Sequence, residues 1–243
     1  MANANNWLKS AKSKKDNDDS DHWLSVSDLM AGLMMVFLFI SVALMLLSTI
    51  ERAKIKEVAV AYQENQVAIY NALVGEFDED LERWGAEIDK NTLAFNFHSP
   101  EVLFAIGDIV LKDKYKEILT DFFPRYLEVL STFKSSIGEI RIEGHTSSVW
   151  NQYVTADESY FKNMELSQGR TRSVLEYVYM LHKAQYYFEK DWIKKHIAAV
   201  GLSSSMAILD GNGVEDGEKS RRVSFRVITN AEVQIRRILE ADD

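Results

Sequence analysis

The chain has 243 residues, 47% hydrophobic and 27% charged, enough apolar material for a packed core and too much for a disordered polymer. Its 37 acidic against 28 basic residues leave a net charge of −9, so phosphate backbones are repelled on average and no direct nucleic-acid binding is expected. Zero cysteines exclude disulfides, thiolate metal sites and a cysteine nucleophile, while only two prolines and eleven glycines favour long helices over a turn-rich all-β chain.

Residues 1–22 read as a polar tail. The next segment, 23–50, contains a run of 22 residues without a charge, Leu29 to Ile50, LMAGLMMVFLFISVALMLLSTI. As a helix it would extend about 33 Å, enough for a hydrocarbon core of about 30 Å. It is longer than the apolar stretch of a signal peptide, and the exit STIERAKIKE offers no small-residue cleavage site. The expectation is a single transmembrane anchor. Lys9, Lys12, Lys14 and Lys15 before it outnumber Arg52, Lys54 and Lys56 after it, which sets the N-terminus in the cytoplasm by the positive-inside rule.

Asp28 abuts this span in WLSVSDLMAGLMMVFLF. A carboxylate in the membrane costs about 2.5–3.5 kcal/mol at the centre and less at the edge, and usually faces protein or water. Gly32, one turn on, leaves space beside it, and Ser25 and Ser27 are polar neighbours. One reading is a carboxylate that takes up and releases a cation, most simply a proton. The other is an acid favoured at a helix N-terminus by the macrodipole.

Beyond the span, Ile55, Tyr62, Ile69, Leu73, Phe77, Leu81, Trp84 and Ile88 recur at helical spacings, and no proline interrupts 51–99. This predicts a helix, whole or broken at Gly75 or Gly85, from about Glu51 to Asp89. Residues 51–91 would form a stalk or plug, or an amphipathic helix packed on its own domain. From residue 92 to 230 the pattern is α+β in the order β-α-β-α-β. LAFNF is a strand and the stretch to Leu130 a loop and helix. EIRIEGHT is a strand, Ser147–Tyr160 irregular and Phe161–His182 helical. IAAVGLSSSMAIL is a strand, 210–220 a loop and RRVSFRVI the last strand. Residues 231–243 form a tail. The order suggests a mixed sheet with helices on one face, and no internal repeat is visible.

Enzyme motifs fail on inspection. GLSSS lacks the second glycine of a nucleophile elbow, GVEDGEKS breaks the phosphate-loop run at Glu218, DGNGVEDG puts Val214 at a calcium-ligand position, and the five histidines show no metalloprotease spacing. No catalytic activity, cofactor or metal is expected.

Four pieces, LFAIGDIVLKDKYKEIL, IEGHTSS, NMELSQGRTRSVLEYV and SRRVSFRVI, resemble the OmpA-like peptidoglycan-binding domain. An acid-bearing single span ahead of such a domain resembles the MotB family of ion-driven stator units, with wording closest to the ZorB branch of Zorya antiphage systems. The resemblance implies a periplasmic domain, a dimer of this chain inside five multi-span MotA/ZorA-like subunits (a 5:2 complex), and peptidoglycan as ligand. It makes Asp28 the ion-carrying carboxylate and Arg170 the partner of a stem-peptide carboxylate. Asn163 and Leu166 help build that pocket, His145, Thr146 and Ser147 form the ligand-side loop, and Arg222 belongs to the paired arginines. Ser147 stands where the family has an aspartate for the stem-peptide ammonium; Asp157 or Glu158 are the candidates to replace it. Ser220 stands where asparagine often precedes the arginines.

Plainer roles are open for each. Arg170 could pair on a helix surface with Glu165 or Glu176, His145 could orient a loop, Arg222 could close a sheet edge and Leu166 could pack in the core. A flagellar-type stator, a passive envelope tether and a biopolymer-transport energiser are the alternative functions.

Overall fold

The computed structural model describes residues 4–98, 100–181 and 188–230, and side chains from Trp23 onward, those of Leu24, Ser25, Pro100 and Glu101 excepted. The side chains of the N-terminal tail and Ser25, and the tail 231–243, lie outside the described residues. The chain divides into two compact units, Met1–Glu57 and Val58–Asp243.

The first unit belongs to helix α1, Ala4–Trp84. Its apolar run is exposed throughout, with Leu29 75%, Phe39 69% and Met45 73% accessible. Side chains of this type in contact with water on every side of a helix would lose their transfer free energy, so the run demands an apolar surrounding. The described residues contain one helix long and apolar enough to cross a membrane.

In the second unit the late turns of α1 are part of the fold. Ile69, Leu73 and Phe77 are fully buried and Trp84 nearly so. Strands β1 (Ala86–Asp89) and β2 (Ala94–Phe97) follow, then α2 (Pro100–Leu103), α3 (Asp113–Ser131), β3 (Ile137–His145) and α4 (Ala156–Met180). The series closes with α5 (Lys190–His196), β4 (Ile197–Gly201), α6 (Gly217–Ser220) and β5 (Arg222–Thr229). The sheet order is β1-β2-β5-β3-β4, antiparallel except for the β3–β4 pair.

Strand alternation gives the sheet two faces. One carries Phe95, Phe97, Ile140, Ile142 and Phe225 and is covered by α1, α3 and α4. Phe77 meets Phe95 at 5.3 Å, Phe122 meets Phe95 at 4.6 Å, and Phe122 meets Phe225 at 5.0 Å between ring centroids. The other face is polar, with Ser224 donating to Asn96 at 2.6 Å.

The α+β succession agrees with the sequence reading, with three corrections. The helix stops at Trp84 rather than near Asp89, because Gly85 adopts φ +60° and turns the chain into a hairpin whose tip is held by Asp89 accepting from the Asn91 and Thr92 amides. Residues 69–91 are core and edge of the sheet domain, as in the packed-helix alternative, rather than a stalk or plug. Helix α4 starts at Ala156 rather than Phe161, because Thr155 and Glu158 form a capping box. The strand after α5 ends at Gly201, and Leu202–Ser205 turns instead of continuing it.

Candidate functional site

Close packing of α4 against the ends of β3 and β4 builds a cavity. A Cβ on Gly144 would sit 2.7 Å from the Ser167 carbonyl oxygen, and one on Gly201 would sit 2.5 Å from the Gln168 amide nitrogen. Only glycine permits this approach, which presents one side of α4 to the loop after β3. That loop is then tied down. Asn163 donates from Nδ2 to the Ser147 carbonyl at 3.0 Å and Ser159 donates to the Ser148 carbonyl at 2.7 Å. The Thr146 amide donates to the carbonyl of Ser203 at 2.9 Å, and Ser203 itself sits at φ +50° with its hydroxyl on the Tyr160 carbonyl.

The resulting cavity has a volume of about 470 Å³. Thr146, Ser147, Asn163, Leu166 and Arg170 line it, so five of the sequence-predicted residues come together. Phe104, Ile106 and Trp150 supply apolar wall, and Arg221 a second cation. Arg170 is 8% exposed, its Nε donating to the Asp108 carbonyl at 2.9 Å and its Nη2 to the Ala105 carbonyl at 3.3 Å. Its guanidinium carbon lies 4.8 Å from the Phe104 ring centre. Burial brings the Arg170 pKa down to about 10, an effect opposed by Asp108 and reinforced by the charge of Arg221. The Thr146 hydroxyl is buried with no hydrogen-bond partner among the described residues. Such a group is destabilising by about 1–3 kcal/mol unless a ligand or water supplies the missing bond.

No family model matches the chain. The Zorya protein ZorB of Escherichia coli is 56% identical to it over 226 residues, covering 93% of this chain and 95% of the relative. The chain belongs to the ZorB family. Among solved structures, a MotB-like protein of Desulfovibrio vulgaris is 21% identical, covers 71% of this chain and 94% of its own, and has a TM-score of 0.48. The cell wall anchor of the type VI secretion system of Pseudomonas aeruginosa is 16% identical, with 65% and 97% covered and a TM-score of 0.43. The periplasmic domain of Helicobacter pylori MotB is 14% identical, with 65% and 90% covered and a TM-score of 0.40.

In this family member two sequence-predicted residues stand apart from the cavity. His145 and Arg222 are register partners on β3 and β5. His145 is buried with Nε2 3.5 Å from Glu143, and Arg222 donates to the Ser220 and Met206 carbonyls at 3.2 and 3.3 Å. Burial and the Arg222 charge lower the His145 pKa against the pull of Glu143. Glu158 is committed to the Thr155 cap, and neither it nor Asp157 lines the cavity. Arg170 makes no ion pair with Glu165 or Glu176 among the described residues; two of its donors go to carbonyls. Ser220 accepts from the Ile208 amide at 2.9 Å, ordering the loop before β5. Arg221, Trp150 and Phe104 were missed by sequence reasoning. The alternation of β5 could have found Arg221, since Arg222 starts the strand and its predecessor has a different direction. Asp28 and Ser27 are exposed on α1, and a Cβ on Gly32 would meet nothing within 4 Å.

Proposed function

We propose that this chain is a peptidoglycan-anchored stator subunit of an ion-driven, most simply proton-driven, inner-membrane motor serving antiphage defence. The observation that carries the reading is the union, in one ZorB-family chain, of a span edged by the carboxylate Asp28 with a cavity whose buried arginine calls for an anionic ligand. In this reading the N-terminus is cytoplasmic and the sheet domain periplasmic. Two copies are enclosed by five multi-span partner subunits. Asp28, desolvated between helices of that assembly, binds a cation from one side and releases it to the other; each charge crossing about 100 mV makes about 2.3 kcal/mol available for a mechanical step.

The wall end works by charge and shape. Arg170 presents its guanidinium to a stem-peptide carboxylate, and a planar fork of donors suits two carboxylate oxygens. Asn163 holds the Ser147 backbone, Leu166 and Trp150 shield the ion pair from water, and His145 with Arg222 stiffens the strand ends beneath the loop. A passive tether would use the same cavity and ignore Asp28.

The discriminating experiment uses full-length protein assembled with its multi-span partner. Asp28→Asn is expected to keep retention on isolated sacculi and to abolish phage protection. Arg170→Ala is expected to lower sacculus retention about tenfold or more, the loss of one charge-assisted contact. Full protection by Asp28→Asn in assembled complexes would leave only the tether.

A further inference from the structure

A ligand end carrying both a carboxylate and an ammonium needs charges of both signs in its site, and this cavity has one sign. Arg170 and Arg221 line it, and no aspartate or glutamate among the described residues does. Three acids near the lining are held in place by hydrogen bonds of their own. Asp108 accepts from the Ile109 and Val110 amides at 2.7 and 3.1 Å. Glu215 engages Ser148 through both oxygens, one on the amide at 2.9 Å and one on the hydroxyl. Glu158 caps α4. Arg221 has no side-chain hydrogen bond or ion pair among the described residues, and its Nη1 lies 3.5 Å from where a Cβ on Gly217 would sit. Two like charges are thus held beside one another, the Asp108 charge acts on Arg170 from outside the lining, and no described acid faces the cavity, so an ammonium brought in would meet two cations and be stripped of water.

We propose that the cavity takes a stem-peptide diamino acid whose side-chain amine is already acylated, as in a cross-link, in preference to one with a free ammonium. This rests on the wall-binding reading above and deepens it. Acylation removes the positive charge and replaces it with a neutral amide carrying an added carbon chain. Both suit a cavity walled by Trp150, Ile106 and Phe104. The carboxylate remains for the arginines, so recognition at Arg170 is unchanged. Ser147 becomes the specificity-determining position: a carboxylate there would restore the second sign beside the Asn163-held loop. Such a chain would grip finished, cross-linked wall rather than newly laid, unlinked strands.

The test uses full-length protein in detergent micelles and two synthetic tripeptides ending in diaminopimelate, one with the free side-chain amine and one N-acetylated there, titrated by calorimetry. The acetylated peptide is expected to bind more tightly than the free amine. In Ser147→Asp the free-amine peptide is expected to gain about tenfold in affinity, and the acetylated peptide to gain nothing. Tighter or equal binding of the free amine by the unaltered protein overturns the inference, as does binding of neither peptide. Sacculus retention separates the layers: if it depends on Arg170 while the free amine is preferred, only this inference falls. If it ignores Arg170, the wall-binding reading falls with it.

Discussion

His145 and Glu143 point from the same strand into a buried setting, 3.5 Å apart, with the Arg222 charge close by. Burial and Arg222 lower the His145 pKa below its ordinary 6.5. The Glu143 pKa, which burial alone would raise, is lowered below 4.5 by His145 and by the charges of Arg226 and Arg141. The unfolded chain therefore takes up a proton at this histidine before the native state does, so stability falls as pH drops below 6.5 and falls further below 4.5 as Glu143 is protonated. A thermal-unfolding series between about pH 8 and about pH 5 checks this: the midpoint declines through the histidine range, and His145→Gln flattens that part of the curve. A midpoint in the unaltered protein that is level across the range would contradict the assignment. Arg170 was legible because a helix carrying N-x-x-L-S-x-x-R puts Asn163, Leu166 and Arg170 on one face. The place of His145 was less legible, because GHT fixes the loop but not which of its residues lines the cavity; His145 ends β3 in register with Arg222, and Thr146 lines the cavity.

At the scale of elements, α1 and α4 carry the construction. The end of α1 is bolted to α3 by Arg125, which donates to Glu76 at 2.7 Å and Asp80 at 2.8 Å and lies 4.8 Å from the centre of the Phe77 ring. Phe77→Ala removes a fully buried ring in contact with Phe95, Phe122 and Trp84, and is expected to destabilise by about 3–5 kcal/mol in denaturant unfolding. An effect below about 1 kcal/mol would mean that these turns are not core. Gly201→Ala forces a Cβ into the backbone of α4 and is expected to destabilise by about 1–3 kcal/mol while weakening ligand binding, because the same turns carry Arg170. The periodicity from Ile55 to Ile88 announced a helix but not its partner, since a stalk and a core helix share one apolar spacing. Strand β1 escaped notice because four residues, AEID, hold too little alternation to register and Gly85 is the sole sign of the turn. The start of α4 was present in the sequence as T-A-D-E, Thr155 to Glu158, a capping-box spacing hidden within a polar loop.

At the scale of the molecule, one polypeptide carries an apolar span edged by an acid and a cavity lined by two arginines. The span was the most legible feature, because 22 uncharged residues admit few alternatives. The charge of the cavity was the least legible, because it depends on which charged side chains the fold brings to the lining. Ion transfer at Asp28 is what separates a motor from a clamp, and cation flux through the partner-assembled complex reconstituted in vesicles measures it directly. With a membrane potential imposed, the unaltered complex is expected to pass protons, Arg170→Ala to retain flux and Asp28→Asn to reduce it to the level of empty vesicles. Undiminished flux in Asp28→Asn would contradict the account.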